Sequence, residues 1–248
     1  LSDHRDAEGE PAPFLTLFGQ LDLLYGVAFG ELAQGTAPSA YPRAAYGYPG
    51  IRLRQLYLEW RSPIGLFRLG QTTFNWGLGI LANDGQTPSP FGDYRFGDLV
   101  RRILFATRPF GEGTPFVLAV AADWVAWDLT ADGDRRCTRP GESSCGDLAF
   151  QGVLAGYYEE GENQIGGYLA YRTQHDYRND FLDVLAVDVF ARWFFDEPTG
   201  GRFFAAAEVA YIYGSTSLTR TPTRGRTDVE QLLAAVQVGR RESHFDLV

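Results

Sequence analysis

Along most of the chain, apolar and polar residues alternate with a period of two rather than 3.6, the spacing of strands that present one apolar face. Such segments fall near residues 15–30, 51–61, 65–78, 99–109, 116–128, 148–159, 164–174, 181–195, 202–214 and 228–239, ten in all. Most span about 11 to 15 residues, against roughly 5 to 6 for strands of soluble sheets. The tilted strand of a membrane barrel needs about 9 to 11, so the length favours a barrel.

The connections between these segments alternate in size. Long ones at 31–50, 81–98, 129–147 and 215–227, with a medium one at 175–180, take every second place. Short ones fill the rest: Ser62–Gly65, Phe110–Pro115, Glu160–Asn163 and Asp196–Gly201, each with the Gly or Pro of a tight turn. Short periplasmic turns opposite long extracellular loops are the asymmetry of outer-membrane barrels. In that orientation the first strand runs outward and the loop holding Cys137 and Cys145 lies outside the cell. Those two cysteines, nine positions of turn-rich sequence from first to last (Cys-Thr-Arg-Pro-Gly-Glu-Ser-Ser-Cys), are disulfide candidates in an oxidising compartment, with two loop thiols as the alternative.

The two faces of the alternation differ in kind. One gathers Leu17, Leu21, Leu56, Leu58, Leu69, Ile103, Val120, Leu169, Val187, Val189, Val209, Leu232 and Val236, a band suited to lipid. The other gathers Gln20, Asp22, Gln55, Glu59, Arg68, Thr72, Arg102, Arg108, Asp123, Gln151, Arg172, Asp188, Arg192 and Glu208, diluted by Gly and Ala. Burying that many ionised groups in a dry core would cost several kcal/mol each, whereas a hydrated lumen accommodates them. The expectation is a lumen wall with Arg68, Arg102, Arg108, Arg172 and Arg192 facing Asp22, Glu59, Asp123, Asp188 and Glu208. Trp60, Trp76, Trp127, Trp193, Tyr211 and Tyr213 lie near segment ends, where aromatic rings anchor a barrel at the lipid headgroups. A soluble β-sandwich, with the charged face outward, is the competing architecture.

Composition adjusts this picture only a little. With 45% hydrophobic residues, 15% aromatics and 29 glycines the chain suits strands and turns. Its longest apolar run, Phe116–Ala122, is too short for a spanning helix. A formal charge of −9 argues against a nucleic-acid partner, whose phosphates demand clustered Lys and Arg. The chain has no Met and no signal-peptide pattern, and it stops in strand-like sequence at His244–Val248. The expectation is therefore an all-β, antiparallel up-and-down transmembrane β-barrel, one domain over 1–248 with a loop or extension at 1–13, forming part of a barrel of about sixteen strands.

Little chemistry accompanies the pattern. Gly77-Leu-Gly-Ile-Leu-Ala82 fits a loose dinucleotide fingerprint, but no βαβ unit surrounds it. His175 beside Asp176 has no serine in a recognisable nucleophile phrase, so no enzyme is expected. Cys137 and Cys145 lack the further ligands zinc requires, and Asp84, Asp93 and Asp98 match no calcium loop. No metal and no cofactor are expected. The basic run Arg220–Arg226 sits in a long loop that would meet lipopolysaccharide, with a solvated loop as the plainer reading.

Phe74-Asn-Trp-Gly-Leu-Gly-Ile-Leu-Ala-Asn-Asp-Gly85, with Phe96-Gly-Asp98 and Leu99-Val-Arg-Arg after it and Leu66-Phe-Arg-Leu-Gly-Gln71 before it, resembles an uncharacterised family of predicted bacterial outer-membrane, porin-like β-barrels. The likeness covers about residues 50–110 and brings no catalytic residues with it. It implies a Gram-negative outer-membrane channel for small or extended polar solutes, in contact with outer-membrane lipid and lipopolysaccharide, with a homo-oligomer left open. The alternative is a plugged, structural or surface-display barrel whose loops bind a partner or glycan. Within the motif, Gly77 and Gly79 would let the strand bend or a backbone approach closely, while Trp76 would anchor the rim. Two readings stand for this stretch: a strand end leading into a loop, or a loop folded inward to narrow the pore.

Overall fold

The computed structural model describes residues 14–25, 50–87, 97–111, 113–127, 131, 148–176, 180–196, 201–218, 225–241 and 246–247. Every regular element among them is a strand: β1 (Leu15–Tyr25), β2 (Gly50–Ser62), β3 (Gly65–Thr73), β4 (Leu99–Thr107), β5 (Phe116–Trp127), β6 (Leu148–Glu160), β7 (Asn163–His175), β8 (Phe181–Asp196), β9 (Arg202–Thr216), β10 (Thr227–Arg241) and the short β11 (Asp246–Leu247). They form one sheet in chain order, each antiparallel to the next. Among the described residues no ladder joins β1 to the far end of the sheet.

The ten segments expected from the pattern are the ten long strands, with bounds that differ by a residue or two at several ends and by more at two of them. Residues 26–30, expected in the first strand, lie outside the described residues. β3 ends at Thr73 rather than continuing to residue 78, because the chain leaves the ladder there and turns onto the face of the sheet. The alternation of connections holds only in part: β2–β3 and β6–β7 are joined by two-residue turns at 63–64 and 161–162, but the β7–β8 connection at 176–180 is no longer than β8–β9 at 197–201 and is shorter than β4–β5 at 108–115. β1–β2, β3–β4 and β5–β6 are separated by much longer stretches.

Registers are continuous over most ladders, so a single parity assigns each side chain to a face. β8 and β9 pair from Leu182↔Thr216 to Asp196↔Arg202 without a shift, and β9 and β10 from Thr227↔Thr216 to Arg241↔Arg202. Bulges occur in β1–β2 and at Leu99/Val100 of β4. One face carries exposed aliphatic side chains, with Ile103 at 63%, Val189 at 53% and Leu232 at 73% relative exposure. On the same face, aromatic pairs sit toward the strand ends: Trp60 stacks on Phe67 at 5.1 Å, Phe67 on Phe105 at 4.7 Å, and Trp124 on Phe150 at 5.4 Å.

The opposite face is concave. In a flat sheet β7 and β10 would stand about 14 Å apart, at about 4.8 Å per strand. Yet Glu162, in the turn between β6 and β7, is bonded by Arg241 at the end of β10 at 2.6 Å. Trp76, three residues beyond β3, reaches Asp188 on β8. The reach of Trp76 from the end of β3 to β8, five strands away, brings the sheet's two halves together on this face and defines the inner face on which the site lies.

Candidate functional site

The inner face is polar at its most buried points. Gln55, Thr72, Arg102, Asp123, Gln174, Asp188 and Glu208 are all buried there, beside small residues such as Ala155, Ala170, Ala206 and Ala210. Small side chains on β6, β7 and β9 leave a trough, and the stretch from Phe74 to Ala82 occupies it. Trp76, Leu78 and Ala82 pack with Val153, Ala155, Tyr168, Ala170, Phe190 and Ala206 into one cluster. Phe74 stacks on Tyr168 at 5.7 Å and lies under the Arg102 guanidinium at 4.4 Å.

The stretch is a closed loop in its own right. Trp76 N donates to Ala82 O at 3.1 Å and Gly79 N to Trp76 O at 2.9 Å. Its far end is tied by Asp98 N to Asn83 O at 2.7 Å, and by Arg54 Nη2 to Asp84 O at 2.7 Å. Asp84 caps the following turn through the amides of Gln86 and Thr87. The stretch thus leaves the strand and folds back onto the buried polar face of the sheet.

Two acids on the wall receive the loop. Trp76 Nε1 donates to Asp188 Oδ1 at 3.0 Å, and the amide of Leu78 donates to Glu208 Oε2. Gly77 has φ +55°, and a Cβ there would stand 2.5 Å from Glu208 Oε2, so glycine is required both for the turn and for the close approach. A Cβ at Gly166 would meet the Trp76 ring at 2.8 Å.

The arginines are arranged more locally than a simple ladder of opposite charges. Arg102 grips Asp123 with two bonds of 2.6 and 2.7 Å, and Gln151 adds a third to the same acid at 2.8 Å. Arg68 pairs with Glu59 at 2.8 Å, and Asp22 is paired by Arg54 at 3.2 Å. Arg172 and Arg192 reach neutral amides, Gln174 at 2.7 Å and Gln164 at 2.8 Å.

Three expectations need correction. Arg108 lies past the end of β4 in an exposed turn and donates to Thr114 O at 2.6 Å, because the strand ends at Thr107 before its parity could carry it inward. Asp188 and Glu208 face Trp76 and a backbone amide rather than arginine. Trp76 is no exposed rim anchor: it is 8% exposed and lies under the inner wall, because the chain turns inward after Thr73. Trp60, Trp193, Tyr211 and Tyr213 are exposed on the outer face near strand ends. The Trp127 side chain, and Cys137 with Cys145, lie outside the described residues.

The receiving role of Asp188 and Glu208 was not foreseen from the sequence, although a signal existed. A Trp-Gly-x-Gly phrase directly after a strand, in a chain whose polar face is rich in Ala and Gly, marks a bulky segment and a wall with room for it. Among the described residues no group of three or more His, Cys, Asp or Glu is placed to hold a metal. Comparison with family models, curated proteins and solved structures found no match.

Proposed function

We propose that this chain forms the wall of a Gram-negative outer-membrane barrel that passes small or extended polar solutes through a charged lumen narrowed by the Phe74–Ala82 loop. The observation that carries the reading is the contrast between the faces: exposed aliphatic rows outside, and buried Arg102, Asp123, Asp188 and Glu208 inside. A soluble sheet hides its apolar face and wets its charged one, the reverse of this arrangement. In hydrocarbon an unpaired edge is excluded, so in this reading β1 and the far edge are closed by further pairing, in a barrel of about sixteen strands. The likeness of the Trp76 phrase to porin-like barrels belongs to the same proposal, and no reaction is assigned to the chain.

Selection in such a lumen comes from fixed charges and hydrogen-bonding groups on the wall. Arg192, whose hydrogen bond goes to a neutral amide, is the wall cation best placed to favour anions. The test is conductance of the refolded full-length protein in a planar bilayer with charged and neutral solutes. A stable conductance whose ion preference shifts toward cations in Arg192→Gln supports the channel.

One observation favours a second reading. Trp76, Leu78 and Ala82 are packed against the wall as tightly as a core, which suits a plugged barrel with a structural or surface-display role. Silence from a properly folded, heat-modifiable protein would select it.

A further inference from the structure

Asp188 and Glu208 are 1% and 0% exposed, and each has one oxygen, Asp188 Oδ2 and Glu208 Oε1, with no hydrogen-bond donor within reach among the described residues. Their other oxygens are those that receive the loop, from Trp76 Nε1 and the Leu78 amide. Asp188 lies opposite Ala210 and Glu208 opposite Phe190, so the two acids are diagonal neighbours on the same face of the β8–β9 pair. Ionised carboxylates only accept hydrogen bonds and repel one another, so two buried acids so placed, each with an unmet oxygen, are satisfied together only while the pair keeps a proton. We propose that the shared proton of Asp188 and Glu208 is a latch that holds the Phe74–Ala82 loop against the inner wall, and that its loss releases the loop.

The mechanism is local electrostatics. When the proton leaves, two adjacent carboxylates of like charge face each other in a wall with little water, and the pair separates. Both acids hold the loop by their remaining oxygens, so separation pulls its two anchor points apart. Among the described residues no other ionisable group supplies a countercharge. Tyr168 stands opposite Asp188 on β7 and is uncharged as a phenol. The charged groups around Tyr168 are Arg102, Asp123, Asp98 and Asp188 itself, and Arg102 is already held by Asp123 in two hydrogen bonds. From β10, the residue paired with Glu208 is Ala235, and from β8 it is Phe190. The loop itself brings Trp76, Leu78 and Ile80, none of which carries a charge.

The latch rests on the inner face being a lumen wall only for its consequence, an opened bore; the release itself is independent of transport. The test is hydrogen exchange of the refolded chain in lipid vesicles across a series from mildly acidic to alkaline pH, with protection at residues 77–82 corrected for intrinsic rates and conductance recorded in parallel. Protection in this loop should fall about tenfold or more as pH rises, while the β8–β9 ladder stays protected. Glu208→Gln supplies a permanent donor toward Asp188 and keeps an acceptor for Leu78, so its loop should remain protected throughout. Asp188→Asn should behave alike and serves if the first variant folds poorly. Protection that is unchanged with pH, or that falls equally in wild type and both variants, overturns the latch. Release of the loop without conductance at any pH supports the latch and removes the channel reading; conductance with an unmoved loop does the reverse.

Discussion

The indole of Trp76 donates to the carboxylate of Asp188 at 3.0 Å, across 112 positions of sequence. One bond thus ties the loop that follows β3 to the middle of β8. Trp76→Phe keeps most of the ring packing on Tyr168 but deletes the donor, leaving a buried acceptor unmet at a cost of about 1–3 kcal/mol. Because the strand ladders do not pass through this bond, we expect the loop to lose amide protection while the unfolding midpoint of the sheet moves little. Equal protection in wild type and Trp76→Phe would show that packing alone holds the loop.

Arg102 and Asp123 form the most enclosed ion pair described, with side-chain exposures of 3% and 0%. Removing one partner strands the other as a buried charge, so Arg102→Ala should destabilise the folded protein by about 3–5 kcal/mol. Replacing both, as Arg102→Met with Asp123→Leu, removes the stranded charge and should recover most of that loss. Urea unfolding of the two variants decides between them. If the double replacement is as damaging as the single one, the pair holds the fold through its specific hydrogen bonds rather than through its charge balance.

Strand number, strand position and face assignment were legible because register in this sheet is set by period-two alternation, which survives from Leu182 to Asp196 without interruption. Parity put Asp123 and Arg102 on one face, and the structure pairs them. What parity could not supply is anything beyond the ends of strands. Arg108 follows Thr107 by one residue and is lost to a turn, and Trp76 follows Thr73 by three and is carried onto the opposite wall. Partners of Asp188 and Glu208 are a backbone amide and an indole from a loop, and amides bear no trace in the sequence. Alternation describes the wall; only the three-dimensional curl reveals what lies against it.

The Glu162 carboxyl sits in the β6–β7 turn between Arg202 and Arg241. Partial burial would raise it, but hydrogen bonds from Arg202 and Arg241 and their charges outweigh that effect and hold it below the usual carboxylate range. A carboxyl lowered in the folded state adds stability that is present above its unfolded value and is lost as pH falls through the folded one. Acidification below the ordinary carboxylate range should therefore loosen the end of β10 first, seen as faster exchange near Arg241 before the β8–β9 ladder responds. Glu162→Gln should show that looseness at neutral pH and lose the acid step. Protection near Arg241 that is the same at all pH values would mean the bridge is not what holds this end.

The outer face offers the sharpest test of the membrane itself. Val189 lies in the middle of β8, opposite Val209 and Gly167, and points away from the Trp76 cluster. If this face meets hydrocarbon, Val189→Arg places a cation near the bilayer midplane, at a cost of about 2–4 kcal/mol. If it meets water, the same change falls on an already exposed surface position and should stay within about 0.5 kcal/mol. Folding into phospholipid vesicles, followed by a heat-sensitive gel shift and by urea titration, separates these outcomes. A midpoint lowered by an amount that shrinks when Arg is moved along the outer face from Val189 to Phe195, near the strand end, would establish a depth-dependent lipid contact. A flat profile along the strand would place this face in water and return the sheet to a soluble architecture.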